Sequence, residues 1–118
     1  MNHFHDHSTN LEKLMKDIPT YDKATVPAEL FSILSDPTRI RILWVLCHTT
    51  DCVLDIAQAV GMSSPAVSHH LKILKNNNII TAHKVGKEMH YSLADNNIAK
   101  LLHSMLDSML NIDCPNDK

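Results

Sequence analysis

Apolar side chains recur every three to four positions in several stretches of this chain, a spacing that predicts amphipathic helices. The first stretch predicts a short helix that begins with a capping box of Thr9 and Glu12 and ends near Asp17, before Pro19. A second helix is expected over about residues 25–35, where apolar residues again lie at helical spacing. The N-terminal part of the chain is therefore predicted to be helical.

A third helix is expected to begin at Asp36 and Pro37, because this pair is typical of a cap followed by a first helical turn. Helical spacing resumes at Val53 and stops at Gly61, a residue that tolerates the positive φ of a helix end. A further helix, with a serine cap and Pro65 in its first turn, follows at once. Two helices of about eight and eleven residues with a short turn between them are typical of a helix-turn-helix, and the second is predicted to be its recognition helix.

The pattern changes after three consecutive asparagines. Residues 79–85 and 88–93 are predicted to be strands joined at Gly86-Lys87, which makes a β-hairpin. Asp95 is expected to cap a final helix whose apolar residues cover more than one narrow stripe, a pattern typical of a subunit interface. The prediction is a mainly α (α+β) fold, a winged helix-turn-helix with a two-stranded wing, which forms a homodimer through its N- and C-terminal helices.

Length and composition limit the classes to which this chain can belong. Its 118 residues are interpreted as a His-rich arm (1–8), a winged helix-turn-helix dimer domain (9–113) and a tail (114–118). No apolar run approaches the roughly 20 residues of a membrane helix and no signal-peptide pattern is present, so we expect a cytoplasmic protein without membrane contact. Its three cysteines fit reduced thiols or metal ligands better than a disulfide framework. The chain contains no motif of a phosphate loop, nucleophile elbow or metalloprotease, so we expect no enzyme.

Positive charge is concentrated in the predicted helix-turn-helix and wing, although the net charge of the chain is −2. Between Gly61 and Leu93, four lysines accompany a single acidic residue, Glu88. Because short polar side chains reach base edges and lysines reach phosphates, this region is predicted to bind double-stranded DNA. The expected DNA-binding residues are Ser63, Ser64, Ser68, His69, His70, Lys72, Lys75, Lys84 and Lys87. The alternative is that the first serines only cap a helix and the lysines form an ordinary solvated surface; which of the two histidines faces DNA stays open.

Three stretches carry a resemblance to a known family: LSDPTRIRIL in the third helix, AVSHHL in the recognition helix and YSLAD after the hairpin. With these stretches, the chain resembles the ArsR/SmtB family of bacterial winged-helix metal sensors over roughly residues 28–110. The resemblance implies a homodimeric repressor that binds a palindromic operator when it is metal-free and releases the operator when a divalent metal binds.

The resemblance also implies a metal site at the start of the first helix of the helix-turn-helix, where the family pattern is Cys-Val-x-Asp. Here the pattern is completed by Cys52 and Asp55, whose ligand atoms can converge on one ion because they lie three positions apart around a helix start. Family members add ligands from the N-terminal arm of the other subunit. In this chain the arm offers three histidines at alternate positions, His3, His5 and His7. One thiolate with imidazoles and a carboxylate suits Zn(II) as first choice, with Cd(II), Co(II) or Ni(II) also accepted.

A second metal site of the family lies across the paired last helices, and three of its four ligand positions have changed here. Only Asp95 is kept, whereas the other positions hold Asn97, Ser108 and Asn111, which are poor transition-metal ligands. The last helix is therefore interpreted as structural. An unconventional site made by His103, Asp107 and Cys114 stays open, and His48 is a spare ligand candidate.

Other interpretations of the same residues are kept as alternatives. The arm histidines could contact no ion, Cys52 could be a small buried hydrophobic residue, and Asp55 could only favour the helix dipole. Within the same fold, a thiol-based redox sensor that uses Cys52, with Cys47 as a weak resolving partner, is the alternative function. A winged helix that binds protein instead of DNA is a further rival.

Overall fold

The structure is a computed structural model that describes residues 9–111. The chain divides into two compact units, with the boundary between Phe31 and Ser32. The predicted arm, the whole predicted tail and residues 112–113 lie outside the described residues, so the predicted division at 1–8, 9–113 and 114–118 stays a prediction. The elements, in chain order, are α1 (Thr9–Leu14), a 3₁₀ turn (Met15–Asp17), α2 (Tyr21–Ile33), α3 (Pro37–His48), β1 (Asp51–Cys52), α4 (Val53–Val60), α5 (Ser64–Asn76), β2 (Ile80–Val85), β3 (Glu88–Leu93) and α6 (Asn97–Leu110).

Helix α2 begins at Tyr21, earlier than the predicted residue 25. The reason is a local cap at Thr20, whose Oγ1 accepts a hydrogen bond from the backbone N–H of Lys23 at 3.3 Å. The helix also continues through Pro27, which has no N–H to donate within the helix. Among the described residues, no side chain of α2 is buried. The start of this helix is therefore defined by helix propensity and by its cap, and not by a contact with the core.

Helix α3 begins as predicted, with Asp36 as its cap and Pro37 in its first turn. One carboxylate oxygen of Asp36, Oδ1, accepts a hydrogen bond from the Thr38 N–H at 2.8 Å. This bond is the main reason that the pKa of the Asp36 carboxyl lies below its ordinary value of 3.8. Burial opposes the shift, whereas the backbone N–H of Arg39 and electrostatic interactions with His70 and with the Arg39 guanidinium add to it.

This shift makes the cap sensitive to pH. Because the pKa of Asp36 is lowered by folding, its charge stabilises the native state above pH 3.8, and this contribution is lost as the pH falls through the lowered pKa. We expect Asp36→Asn, which keeps a hydrogen-bond acceptor but no charge, to unfold at lower urea concentration than the wild type at pH 7. The difference is expected to shrink as the pH falls through the lowered pKa of Asp36. A difference that does not depend on pH would contradict a charged cap.

The helix-turn-helix is formed by α4 and α5, as the sequence predicts. Helix α4 ends at Gly61, which has a φ of 71° in the left-handed region, and the next N–H, of Met62, donates to the Ala57 carbonyl at 3.0 Å. Ser63, not Ser64, caps α5, since its Oγ accepts a hydrogen bond from the backbone N–H of Ala66 at 3.3 Å. The turn therefore fixes the start of the recognition helix.

The sheet has three antiparallel strands in the order β1-β3-β2, one strand more than the predicted two-stranded wing. Strands β2 and β3 form the expected hairpin and turn at Gly86, whose φ is 63°. The additional strand β1 has only two residues, Asp51 and Cys52, which pair with Tyr91 and His90 of β3. A strand of two residues has no periodicity to detect, which explains why the sequence did not predict it.

The prediction that Asp95 caps the last helix is wrong. The cap of α6 is Asn96, whose Oδ1 accepts a hydrogen bond from the backbone N–H of Ala99 at 2.8 Å. The same side chain donates through Nδ2 to the Asn78 carbonyl at 2.9 Å, and this second bond gives Asn96 an advantage that Asp95 cannot match. Asp95 is exposed and forms an ion pair with Lys100 at 3.0 Å instead.

The core lies in the second unit, where α3, α4, α5, β2 and α6 bury their apolar faces. The largest fully buried side chains are Ile42, Leu43, Leu46, Ile56, Val67, Leu71, Leu74, Ile79 and Ile80. Burial of this kind contributes about 25 cal/mol per Å² of apolar surface and holds the helix-turn-helix and the wing together in this unit. Across residues 9–111, no helix combines the length and apolar character needed to cross a membrane.

Candidate metal centre and nucleic-acid interface

Three potential metal ligands lie together where the wing meets the helix-turn-helix. One ligand atom from each of Asp51, Cys52 and Asp55 lies within 4.8 Å of the other two. Cys52 is buried, with 6% of its surface exposed, whereas Asp51 is half-buried and Asp55 is exposed. The structure therefore brings together Cys52 and Asp55, the two described residues of the predicted metal site.

The local backbone explains this convergence. Cys52 is the last residue of β1 and also the cap of α4, with extended φ and ψ of −85° and 166°, so Asp55 follows in the first helical turn. Asp51 Oδ1 accepts a hydrogen bond from the Cys52 backbone N–H at 3.0 Å, which turns the carboxylate back toward the cysteine. The positive end of the α4 dipole favours anionic side chains at this position.

The donor set fits a divalent metal ion. Zinc takes cysteine sulfur at about 2.3 Å and carboxylate oxygen at about 2.0–2.2 Å, usually with four ligands, and this group offers three such donors within 4.8 Å of one another. Sequence reasoning missed Asp51, although its position next to Cys52 was a usable signal. The predicted arm ligands His3, His5 and His7 lie outside the described residues.

The surface beside Cys52 is a shallow open depression. It is lined by Cys52, Val53, Leu54, Glu88 and Met89, so α4 and the wing strand β3 share its walls. Leu54, in the position where family members have an optional second cysteine, is 66% exposed and offers no ligand atom. The site therefore depends on a single sulfur within the described chain.

The residues at the other family metal position lie just before α6 and along its solvent-exposed surface. Asp95 points into solvent and pairs with Lys100, and the three changed positions, Asn97, Ser108 and Asn111, are exposed. The loss of the ordinary site on the last helix rests on these residue types and stays a prediction. His103 and Asp107 of α6 do lie together, with His103 Nε2 3.2 Å from Asp107 Oδ2, while Cys114 lies outside the described residues.

The candidate DNA interface is the outward surface of α5. Ser68, His69, Lys72 and Lys75 are exposed on this helix, Ser63 is an exposed cap, and Ser64 is half-buried. The two adjacent histidines differ, because His70 is half-buried and its Nδ1 accepts a hydrogen bond from Arg39 Nε at 3.2 Å. His69 therefore faces outward while His70 is engaged by α3.

The wing adds two lysines to the same unit. Lys84 lies opposite Met89 in the β2–β3 register, Lys87 lies in the turn, and both are exposed. Within residues 9–111, neither lysine lies within ion-pair distance of a carboxylate, and Glu88 is placed near His90, with 3.6 Å between Glu88 Oε1 and His90 Nε2. The wing tip therefore presents positive charge to solvent.

Helix α3 holds this interface in place through two arginines that the sequence analysis did not single out. Arg39 contacts α5 through His70 and also donates to the Ile33 carbonyl at 2.8 Å. Arg41 donates to the Val60 carbonyl at the end of α4, at 3.1 Å. Both helices of the helix-turn-helix are thus anchored to α3 by hydrogen bonds from charged arginine donors, which are stronger than those from neutral donors.

Comparison with known proteins identifies the family. A family model described as bacterial regulatory protein, arsR family, matches residues 36–82, from the α3 cap into β2. A transcriptional repressor SmtB homologue from Synechocystis sp. is 35% identical over 107 residues, which cover 91% of this chain and 81% of the relative. A cadmium resistance transcriptional regulatory protein CadC homologue from Staphylococcus aureus is 36% identical and covers 81% of this chain and 79% of its own length.

Solved structures agree with the fold. The AntR antimony-specific transcriptional repressor is 29% identical, with a TM-score of 0.67, and the match covers 94% of this chain and 93% of that protein. A homodimeric winged helix-turn-helix DNA-binding domain from Mycobacterium bovis, at 22% identity and the same TM-score of 0.67, shows the fold alone.

These findings confirm the predicted winged helix-turn-helix and the resemblance noted in the sequence. The relatives named are transcriptional regulators, in agreement with the expectation that the chain is not an enzyme. The identity to the SmtB homologue extends over nine-tenths of the chain, well beyond the helix-turn-helix alone. The chain therefore belongs to the ArsR family of bacterial regulatory proteins.

Proposed function

We propose that the chain is a metal-responsive transcriptional repressor, which binds operator DNA as a metal-free homodimer and releases it when a divalent metal binds. The observation that carries this proposal is the convergence of Asp51, Cys52 and Asp55 at the start of the first helix of the helix-turn-helix. The names of the relatives, a repressor and a cadmium resistance regulator, support it. The proposed location is the cytoplasm, where a regulator meets operator DNA.

In this proposal α5 enters the major groove of the operator and the wing lies along its backbone. His69 faces the bases in this proposal, because its side chain is exposed. His70 accepts a hydrogen bond from Arg39 through Nδ1 and so positions α5, which leaves only its Nε2 to contact DNA. Lysines on both elements contact phosphates. The proposed DNA contacts are Ser63, Ser64, Ser68, His69, His70, Lys72, Lys75, Lys84 and Lys87.

The proposed homodimer is supported by the surface of α6. This helix exposes large apolar side chains along its outer face, namely Ile98, Leu101, Met105, Met109 and Leu110. Contiguous apolar surface of this kind marks an interaction site, and a second copy of the chain covers it in this proposal. A two-fold dimer places two recognition helices on the two halves of a palindromic operator.

The proposed metal ligands are Cys52 and Asp55, joined by Asp51, with His3, His5 and His7 of the arm completing the set from the other subunit. Sulfur together with imidazole and carboxylate donors suits Zn(II) first and accepts Cd(II), Co(II) or Ni(II). When bound, the ion supplies a cross-link between subunits and no catalytic chemistry.

The position of Cys52 explains how this site can change DNA affinity. Cys52 caps α4 and pairs with His90 of the wing strand, so its backbone belongs to both DNA-binding elements. Drawing Cys52 and Asp55 toward the partner's arm would change the separation of the two recognition helices. Coupling of about 1–3 kcal/mol between metal and operator would be ordinary, and the operator must weaken metal binding by the same factor.

The test is release of DNA by metal and by oxidant. A duplex selected from a random pool by the metal-free protein is titrated with the protein alone, with Zn(II), and with hydrogen peroxide. We expect Zn(II) to weaken binding by about 5- to 150-fold. Release by peroxide and not by Zn(II) would overturn the proposal and favour the thiol-based alternative; no duplex binding at all would favour a protein-binding winged helix.

The geometry does not favour the thiol-based alternative. Redox-sensing cysteines are accessible to the oxidant, whereas Cys52 is only 6% exposed. The group formed with Asp51 and Asp55 contains no second sulfur with which Cys52 could form a disulfide. The burial of Cys52 and its place in this group support the proposal that it binds metal.

A further inference from the structure

A second group of potential ligands lies between α3 and α6, away from the cysteine site. His48 is the last residue of α3, and His103 and Asp107 lie one turn apart on α6. One ligand atom from each of these three residues lies within 4.8 Å of the other two. The cluster shares no residue with the group of Asp51, Cys52 and Asp55.

The distances within the cluster are close to those of a coordination shell. Asp107 Oδ2 lies 3.2 Å from His103 Nε2, and Asp107 Oδ1 lies 3.9 Å from His48 Nε2. In a tetrahedral zinc site with bonds of about 2.0 Å, neighbouring ligand atoms are about 3.3 Å apart. Rotation of the side chains would therefore bring both imidazole nitrogens and one carboxylate oxygen of Asp107 onto one ion.

The environment of the cluster favours a bound cation. The side chains of His48, His103 and Asp107 are 8%, 25% and 22% exposed, so the carboxylate is largely withdrawn from water. Among the residues that the structure describes, buried His103 Nε2 and Asp107 Oδ1 have no hydrogen-bond partner. A buried polar atom left in this state is costly, and coordination to a metal ion would satisfy both atoms at once.

We infer that His48, His103 and Asp107 form a second binding site, within one subunit, for a divalent transition-metal ion. Two imidazoles and one carboxylate suit Zn(II), Co(II), Ni(II) or Cu(II), and three protein ligands leave one position for water. Cysteine sulfur is not part of this donor set. The inference does not depend on the proposed function of the cysteine site.

The position of the site on α3 gives it a route to the DNA-binding elements. The same helix carries Arg39 and Arg41, which hold α5 and α4 by hydrogen bonds of 3.2 and 3.1 Å. The ion would join the end of α3 to α6, the helix with the exposed apolar face. Occupancy would therefore restrain the junction of the proposed dimer helix and the helix-turn-helix.

The chain contains a built-in reporter for this site. Trp44 is the single tryptophan, and its ring centroid lies 4.5 Å from that of His48. A paramagnetic ion such as Ni(II) bound by His48 would quench the fluorescence of Trp44 at this distance. The cysteine site reports separately, through the charge-transfer absorption between Cys52 sulfur and Co(II).

The experiment is a titration of the full-length protein with Ni(II), followed by Trp44 fluorescence. We expect saturable quenching with one ion per protomer, and the same quenching in Cys52→Ser and in a triple variant with alanine at His3, His5 and His7. His103→Ala and the isosteric Asp107→Asn are expected to weaken the binding that causes quenching more than tenfold. His83→Ala, which removes an exposed wing histidine, is the matched control and is expected to leave it unchanged.

Circular dichroism establishes whether each variant is folded. If His103→Ala does not fold, Asp107→Asn carries the test, because it keeps the shape of the native side chain. Absence of quenching in the wild type would overturn the inference. Quenching that is unchanged in Asp107→Asn, or that is lost in Cys52→Ser, would also overturn it. A normal Cys52 charge-transfer band with Co(II), together with no quenching of Trp44 by Ni(II), would overturn the inference of this second site and leave the proposed function intact.

Discussion

Alanine at both Lys84 and Lys87 is expected to weaken duplex binding at least tenfold at roughly 0.15 M salt. Both side chains are exposed at the wing tip, and within residues 9–111 neither pairs with a carboxylate, so their charge is available to phosphates. Each phosphate contact contributes about 0.9 to the slope of log K against log salt, so the four lysines of a dimer contribute about 3.6. The slope of the variant should fall by this amount.

The measurement is fluorescence anisotropy of the selected duplex over a range of salt concentrations. A matched variant with alanine at Lys13 and Lys16 removes the same charge outside the helix-turn-helix and wing, and it is expected to keep the wild-type slope. Equal slopes for the wing variant and the wild type would mean that the wing does not contact the backbone. Equal losses in both variants would reduce the effect to net charge.

The Cys52→Ser substitution is expected to abolish the response of DNA binding to Zn(II). Serine oxygen is a poor zinc ligand compared with thiolate, and Cys52 is the only sulfur in the group with Asp51 and Asp55. In the wild type, Zn(II) is expected to weaken duplex binding by about 5- to 150-fold, whereas in the variant Zn(II) should leave duplex binding unchanged. Affinity for the duplex without metal is expected to stay close to that of the wild type.

Cys47→Ala is the control for this variant, because it removes a half-buried cysteine of α3 that belongs to neither ligand group. Its response to Zn(II) should equal that of the wild type when unfolding measurements show a folded protein. Release of the duplex from Cys52→Ser by Zn(II) would contradict this role of Cys52. The cluster of His48, His103 and Asp107 would then be the first candidate for the regulatory site.

Local signals in the sequence predicted most of the fold because each acts over a few residues. The Asp36 cap, the Gly61 helix end and the Gly86 turn each depend on the properties of one residue, and all three are present. Asp95 and Asn96 are adjacent residues with similar capping ability, so the choice between them depended on a contact with Asn78, far away in the chain.

The candidate sites were predictable to the extent that they are local. Cys52 and Asp55 share one helix start, so their spacing predicted their convergence. His48 belongs to α3 whereas His103 and Asp107 belong to α6, and only the packing of these two helices brings the three together. The roles of His69 and His70 could be separated only after Arg39 was seen to contact the second of them.

The most direct test of the account is a titration of the wild-type protein with Co(II), followed by the charge-transfer absorption of Cys52, with and without saturating duplex. The account predicts a thiolate-to-metal band that saturates at one Co(II) per protomer in the cysteine site. It also predicts that the duplex weakens this binding by the factor by which Co(II) weakens duplex binding. Absence of the band, or an affinity for Co(II) that the duplex leaves unchanged, would contradict it.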